Sequence, residues 1–391
     1  MRVGIVHYNM EVYGGAEHVG LNAIKSLHEA GHSIGLCATA YPYRKQTLVR
    51  VGIDVEDCID YFIQSRRYPE PDKPMPFLGI YQRVGYSYFP IKKLCHEYSP
   101  DILLVTQGVT IIPTDWVDRT YTYVHYPIDH ELDHEHYMSS WFWRIYRKPM
   151  KFILQNLDQY KDTHLITNSG FTAGVIKKLW NRDAHVIYPP CPLYLDLPLN
   201  GKRDVVCTLM RYTPEKRYEL ALDVARALPK IEFHFVGSVV PAKYPYLRGL
   251  MSRAKGLKNV HFHIDAPLIE KLEVLGRSKA LLHTMYGEHF GISLIEAMSA
   301  GSVPVPHNSG GAKVDDYVPS EFRWDEVDEA VDKTERTVYE WCEELGNAMR
   351  ERSKFFSQQN FRRNLATYIN DTSPHRLGEE KTPILSNLGR S

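Results

Sequence analysis

Ala280-Leu-Leu-His-Thr284, then after Met-Tyr-Gly the run Glu288-His-Phe-Gly-Ile-Ser-Leu-Ile-Glu296, is the stretch whose reading decides the fold. The first piece is a short apolar run of buried-strand character. The second runs into a helix from Gly291 to Ala300 that Gly301 closes at its C-terminus. Strand, loop and helix in that order place the N–H groups of Gly291, Ile292 and Ser293 at a helix start, where the helix dipole favours an anion. Two carboxylates, Glu288 and Glu296, bracket that start with seven residues between them. Read alone, either is an ordinary solvated glutamate; together they suit a ligand with hydroxyls beside a phosphate. Phe290-Gly291 between them offers an apolar wall and then a residue without a Cβ, so that backbone approaches a ligand closely.

Working outward, strand candidates alternate with helices on both sides. The first half has strands at 2–8, 33–39, 101–106, 121–124, 164–167 and 186–188, with a helix from Ala16 to Ala30. The second half has strands at 204–210, 231–236, 260–263, 280–283 and 303–306, with helices near 215–228, 268–277 and 291–300. This rhythm belongs to α/β folds with mostly parallel, doubly wound sheets. Pro189 to Arg203 carries four prolines and a glycine and reads as a linker between two such units. The expected organisation is therefore a first domain over 1–190, a linker over 191–203, a second domain over 204–354, a crossover helix over 355–375 and a flexible tail over 376–391. The stretch from Thr337 to about Ile369 reads as helical, with Trp341, Leu345, Met349, Phe355, Phe356 and Phe361 available to cross back to the first domain.

Bulk numbers narrow the function. At 391 residues the chain is too long for one ordinary core, which favours two domains and a cleft between them. Lys+Arg and Asp+Glu both number 47, so no broad basic field exists for nucleic acid. Six cysteines without a C-x-x-C pair argue against a disulfide framework or a thiolate zinc site and fit a cytoplasmic protein, or one at the cytoplasmic face of a membrane. The opening Arg-Val-Gly-Ile-Val-His is a strand pattern, too short and polar for a signal peptide, and no window reaches about 18 uninterrupted apolar residues. Membrane contact, if made, is expected to be peripheral. Residues 137–153 interleave Trp141, Phe142, Trp143, Ile145, Tyr146 and Phe152 with Arg144, Arg147, Lys148 and Lys151 at helical spacing, and the tyrosine-rich 77–93 is a second lipid-facing candidate. A partly buried helix with a solvated basic face, kinked at Pro149, is the favoured reading of the first of these.

Three further motifs bear on chemistry. Arg211-Tyr-Thr-Pro-Glu-Lys216 runs from a strand end into a helix start; its cations can compensate a departing diphosphate, a task that otherwise falls to a metal on paired aspartates. No Asp-x-Asp pair exists, which favours Arg211 and Lys216 and no metal cofactor. Gly14-Gly15 follows the first strand and can bring backbone to a phosphate or sugar, and His125 ends a strand where doubly wound folds face their crevice. His130-Glu-Leu-Asp-His134, with His136 beside it, matches the H-E-x-x-H zinc expression, but Pro127 lies close upstream and no downstream third-ligand motif follows.

Together, Gly14-Gly15, His125, Arg211 with Lys216, and Glu288 with Glu296 resemble the retaining glycosyltransferases of family 4, whose fold is GT-B: two Rossmann-like domains facing across a cleft, with a C-terminal helix crossing back. The resemblance covers nearly the whole chain. Within the family, Tyr123-Val-His-Tyr-Pro127, Asn168-Ser-Gly-Phe-Thr172, Tyr188-Pro-Pro-Cys191, Leu282-His-Thr-Met285 and His307-Asn-Ser-Gly-Gly311 are similar to the branch that adds α-1,2-mannose to dolichol-linked oligosaccharide. The resemblance implies a GDP-mannose donor and a lipid-linked or other glycan acceptor. It implies Glu296 on the ribose, Arg211 and Lys216 on the diphosphate, backbone and side chains of His289, Phe290, Gly291, Ile292 and Ser293 around the donor, Glu288 on a sugar hydroxyl, and His125 on the sugar from the first domain. Transfer would then be metal-independent, with the leaving phosphate helping to take the acceptor proton. A nucleotide-sugar hydrolase or epimerase of the same fold, a zinc hydrolase built on His130 and His134, and a non-catalytic sugar-binding protein stand as alternatives.

Overall fold

The structure, a computed structural model, describes residues 1–10, 14–65, 79–107, 116–127, 141, 145, 148 and 163–373. Its first unit contains β1 (Arg2–His7), α1 (Gly15–Glu29), β2 (Ser33–Ala38), α2 (Arg44–Val51), β3 (Tyr61–Gln64), α3 (Gly79–Glu97), β4 (Ile102–Gln107), β5 (Arg119–Val124), β6 (His164–Thr167), α4 (Gly170–Trp180) and β7 (His185–Val186). Its second contains β8 (Arg203–Leu209), α5 (Tyr218–Ala227), β9 (Glu232–Gly237), α6 (Tyr244–Arg253), β10 (Val260–Ile264), α7 (Leu268–Arg277), β11 (Ser278–His283), α8 (Ile292–Ser299), β12 (Val303–Pro306) and α9 (Gly310–Val314). Three helices follow: α10 (Val327–Glu340), α11 (Glu343–Lys354) and α12 (Gln358–Thr372).

The strands form two sheets, ordered β3-β2-β1-β4-β5-β6-β7 and β10-β9-β8-β11-β12. Every pairing is parallel. Parallel strands need crossover helices that cover both faces, so they read as unbroken apolar runs. Ile102-Leu-Leu-Val105 and, more briefly, Ala280-Leu-Leu282 do so, and Leu104, Leu281 and Leu282 are fully buried.

Among the elements that the sequence reading does not place are β3, α2, α6 and α9. Each lacks the signal that reading relies on. β3 is a four-residue edge strand. The helices α2 and α6 start at Tyr43 and Lys243 without a capping side chain, and α9 has five residues, two of them glycine.

The expected helical stretch over 337–369 falls within α10, α11 and α12, with breaks at 341–342 and 355–357. Trp341 turns extended at ψ 131° while its indole N–H donates to the Gly301 carbonyl at 3.0 Å. Ser357 turns extended at ψ 155° and caps α12 by accepting from the Asn360 N–H at 3.2 Å. The aromatic set divides accordingly. Met349 and Phe356, with Trp341 and Leu345 alongside, pack in the second unit; Phe355 is exposed; Phe361 alone of the six reaches the first. The proline-rich stretch is packed rather than loose. Cys191 is buried against the second unit, and its N–H donates to the Phe356 carbonyl at 3.0 Å.

α12 crosses back and completes the first core. Phe361, Leu365 and Ile369 are buried with Leu21, Ile24 and Leu27 of α1. Polar contacts seal its edges: Ser26 Oγ donates to the Arg362 carbonyl at 2.7 Å, and Arg362 Nε donates to Asn22 Oδ1 at 2.8 Å. Among the described residues no helix is long and apolar enough to cross a membrane. Because the Phe361 ring is buried between two distant parts of the chain, Phe361→Ala is expected to cost about 3–5 kcal/mol. The check is a fall in the denaturant midpoint of the first unit.

Candidate functional site

In open α/β sheets the crevice lies beyond the carboxyl ends of the strands, where the strand order reverses. The reversal falls between β1 and β4 in the first sheet and between β8 and β11 in the second. Gly14-Gly15 follows β1, Arg211–Lys216 follows β8 and Glu288 follows β11. These three segments therefore lie at the two switch points, while His125 follows β5, one strand further along the first sheet.

The Glu288 loop is fixed by the start of α9. Gly310 has φ +65°, and a Cβ there would sit 2.1 Å from the Glu288 carbonyl oxygen; a Cβ on Gly311 would sit 2.7 Å from the His289 carbonyl. Only glycine permits that approach. The Gly311 N–H donates to the Glu288 carbonyl at 2.8 Å, and the Gly287 N–H donates to Ser309 Oγ at 2.8 Å.

Lys216 meets this loop from the β8 side. It ends a short 3-10 turn, Pro214–Lys216, after which Arg217 adopts a left-handed φ of 53°. Thr284 Oγ1 donates to the Lys216 carbonyl at 2.6 Å. The Lys216 ammonium lies 2.6 Å from Glu288 Oε2, and His283 Nε2 lies 3.2 Å from the same oxygen. Glu288 Oε1 has no partner among the described residues. Burial alone would raise the Glu288 pKa, but Lys216 and His283 outweigh it and hold the carboxyl well below its ordinary value. Burial lowers the pKa of His283, so the imidazole is neutral near pH 7. Arg211 is exposed and makes no side-chain hydrogen bond or ion pair among the described residues; its charge acts on the nearby Glu215 carboxyl and remains accessible to a ligand.

Glu296 repeats the pattern. Its Oε1 accepts from Tyr194 at 3.1 Å and from Lys271 at 2.8 Å, while Oε2 has no partner among the described residues. Each glutamate thus has one oxygen pinned and one open. Tyr194 and Lys271 on Oε1 leave Oε2 as the oxygen of Glu296 that a ligand hydroxyl can reach. Lys216 is likewise already paired with a carboxylate. Burial opposes the charge of Lys271, but Glu296 and Tyr194 prevail and raise its pKa. Tyr194 and Lys271 were not found by sequence; the one lies in the proline-rich stretch and the other on the ordinary amphipathic helix α7.

Helix α8 starts as expected. Gly291 caps it at φ 90°, where a Cβ would lie 2.9 Å from Leu294. The N–H groups of Gly291, Ile292 and Ser293 have no acceptor among the described residues. Phe290 differs from expectation: its ring is 2% exposed and packs against Tyr188, Tyr317 and Phe356, so the side chain is core and only its backbone faces the loop. The His289 ring stacks on Tyr126 of the first unit with centroids 3.7 Å apart.

From the first unit, Gly15 meets α8, since a Cβ on it would lie 3.0 Å from Ile292. The Gly14 N–H is already taken, donating to Glu17 Oε2 at 2.7 Å, so it is not free for a phosphate. A glutamate three residues into a helix is a known capping signal, and it was legible in Gly14-x-x-Glu17. His125 Nε2 lies 2.8 Å from the Thr106 carbonyl, which can only accept. The ring proton is therefore on Nε2, and Nδ1 is left as an acceptor. Burial lowers the His125 pKa, so this neutral form prevails near pH 7.

The units are pinned together beside the site. Ser169 Oγ donates to the His289 carbonyl at 2.6 Å, and Asp315 Oδ1 accepts from the Gly170 N–H at 2.7 Å and from Tyr188 at 2.9 Å. His130, His134 and His136 lie outside the described residues, as does most of 137–153.

Residues 196–318 match the family model described as glycosyl transferases group 1. That span holds Arg211, Lys216, Glu288 and Glu296, and it is a glycosyltransferase group 1 domain. Over 178 residues the chain is 30% identical to the human GDP-Man:Man(3)GlcNAc(2)-PP-Dol alpha-1,2-mannosyltransferase, covering 40% of this chain and 36% of that protein. The matched stretch spans about a third of that relative's length. A Dictyostelium discoideum protein of the same name is 24% identical over 377 residues, covering 80% of this chain and 72% of its own. Among solved structures, Anabaena Alr3699/HepE in complex with UDP-glucose superposes with a TM-score of 0.67 at 15% identity, covering 95% of this chain and 100% of that one. WaaG, a glycosyltransferase of lipopolysaccharide biosynthesis, gives 0.63 at 16% identity, covering 95% and 100%. The architecture is GT-B.

Two outcomes are expected at the Glu288 loop. Glu288→Gln removes the charge that Lys216 faces and should cost about 1–3 kcal/mol at pH 7. The folded carboxyl titrates below its ordinary value of 4.5, so this stabilisation is complete above that pH and lost as pH falls below it. Denaturant titrations of wild type and variant at pH 7 and near pH 4 should show the gap narrowing. Gly310→Ala forces the Glu288 backbone to move, and should lower both the thermal midpoint and any turnover while far-ultraviolet circular dichroism stays native.

Proposed function

We propose that the protein is a retaining, metal-independent glycosyltransferase that moves mannose from GDP-mannose to a lipid-linked oligosaccharide. One observation carries the reading. Two pinned carboxylates, each with one oxygen open among the described residues, flank a helix start whose N–H groups have no acceptor among those residues, and an exposed Arg211 follows the neighbouring strand β8. That combination suits a ligand with a hydroxylated sugar at one end, a ribose at the other and a diphosphate between. The mannosyltransferase names of the relatives supply the sugar, the nucleotide and the acceptor class.

In this reading Glu296 Oε2 takes a ribose hydroxyl, Glu288 Oε1 takes a donor-sugar hydroxyl, and His125 Nδ1 accepts from another. Arg211, the last Lys216 donors and the α8 N-terminus hold the diphosphate. The bond from C1 of the sugar to the β-phosphate oxygen breaks as the acceptor oxygen bonds to C1 on the same face. The acceptor proton passes to the departing phosphate oxygen, leaving GDP and the lengthened glycan. No side chain forms a covalent bond, so the chain contributes position and charge compensation. Trp141 and Ile145 are helical and exposed at 74% and 57%, and Lys148 is exposed, which suits contact with a membrane carrying the acceptor.

A panel of nucleotide sugars read by thermal shift should select GDP-mannose. Incubation with donor, with and without lipid-linked acceptor, separates transfer from its rivals: free mannose or an epimer formed without acceptor would replace the transferase by a hydrolase or epimerase. Arg211→Ala should lower turnover by about 10²-fold or more with the thermal midpoint unchanged. Normal turnover in that variant rejects the diphosphate role of Arg211.

A further inference from the structure

At the far edge of the second sheet, Glu232-Phe-His234 on β9 runs beside His261-Phe-His263 on β10. The strands are parallel, with His234 opposite His261 and Val236 opposite His263. Successive side chains on a strand alternate between faces, so the phenylalanines turn to one face and Glu232, His234, His261 and His263 share the other. Phe233 and Phe235 are fully buried on the first face, which fixes the orientation of the polar set on the second. Nothing in the proposed transfer uses these residues.

Their hydrogen bonds determine which nitrogens carry protons. His263 Nδ1 lies 2.5 Å from Glu270 Oε1 of α7, so it carries the proton and leaves His263 Nε2 as an acceptor. That Nε2 lies 2.8 Å from His234 Nδ1, which must then be the donor. The bare lone pair of His234 is therefore on Nε2. It faces Glu232 Oε2 at 3.4 Å. With both rings neutral that contact has no proton in it; a proton on His234 Nε2 makes it a long hydrogen bond to Glu232, and an ion between the two atoms satisfies both.

That separation is close to what a tetrahedral ion imposes. With metal–ligand bonds of about 2.0–2.1 Å, neighbouring ligand atoms stand about 3.3 Å apart. Ligand atoms of Glu232, His234 and His261 all lie within 4.8 Å of one another. His234 is 7% exposed and rigid, whereas Glu232 and His261 are exposed and able to rotate inward. The chain from His234 through His263 to Glu270 is the outer support that orients a metal-bound imidazole. Glu232 and Glu270 bring two negative charges to the cluster, and Arg277 acts on His234 from the other side of the charge balance.

We propose that Glu232, His234 and His261 bind one zinc ion, with His263 and Glu270 positioning His234 and with the fourth place open to water. Two imidazoles and a carboxylate form a donor set suited to zinc. β10 is an edge strand, so the ion clasps it to β9 where a single ladder of hydrogen bonds otherwise holds it. The site is separate from the glycosyl transfer machinery, and its test does not depend on that reading.

The full chain, freed of metal by chelator and dialysed, is titrated with zinc chloride by calorimetry, with the thermal midpoint measured in parallel. One zinc per chain is expected, with a rise in midpoint that chelator reverses. Glu232→Gln and His261→Asn, both at exposed positions that the fold tolerates, should each weaken binding tenfold or more and abolish the rise. His263→Phe, which leaves all three ligands in place, should weaken it by about 10–100-fold. Absence of stoichiometric binding to the wild type would overturn the site, because a proton then suffices between His234 and Glu232. Binding that persists in Glu232→Gln and His261→Asn, but disappears in a His130→Asn, His134→Asn variant, would also overturn it by moving the ion to that segment.

Discussion

The arrangement of the cleft depends on a contact that permits no side chain. Gly310 and Gly311 lie so close to the backbone of Glu288 and His289 that any Cβ would overlap a carbonyl oxygen. The five residues of α9 are too few to be stable alone, so the helix is held by what it touches. In return it sets the path of the Glu288 loop, and with it the direction of the carboxylate. The same short helix ends at Asp315, which accepts from the Gly170 N–H of the first unit. One close approach thus positions a functional carboxylate and joins the two halves beside it.

Around that contact the charges are paired before any ligand arrives. Lys216 rests on Glu288 and Lys271 on Glu296. Placing two carboxylates in a partly buried cleft is costly unless each has a cation, and here each has one. The pairing leaves one oxygen per glutamate exposed and holds its direction. A ligand bound there meets acceptors already aimed, which reduces the ordering that binding must impose. His125 follows the same logic: the Thr106 carbonyl holds its proton on the far nitrogen, so the near one can only accept.

Much of this was legible in the sequence because parallel strands declare themselves as apolar runs. The switch-point loops could be located once those runs were found. Lys216, Glu288 and the start of α8 were identified from the chemistry of their neighbours and converge in the structure. What was not legible was whatever depends on distance in space. Tyr194 and Lys271 are far in sequence from Glu296, and nothing local marks them. Phe290 read as a wall for a ligand because sequence does not reveal which way a ring turns; it turns into a cluster with Tyr317 and Phe356. The glutamate cap on the Gly14 N–H, by contrast, has a local signature in Gly14-x-x-Glu17. The breaks within the helical stretch 337–369 were hidden for a similar reason, since the one at Trp341 serves a bond to Gly301 forty residues earlier.

Helix α12 bears on how the molecule is made. A ribosome delivers β1 through β7 well before residue 358, yet the core around α1 lacks Phe361, Leu365 and Ile369 until that late segment arrives. The amino-terminal half therefore leaves the exit tunnel with an open apolar flank while the second unit, whose own strands and helices are contiguous, is still being synthesised. The part translated first finishes last. During that interval its uncovered α1 face is where a chaperone would dock, and where two nascent chains would stick to each other.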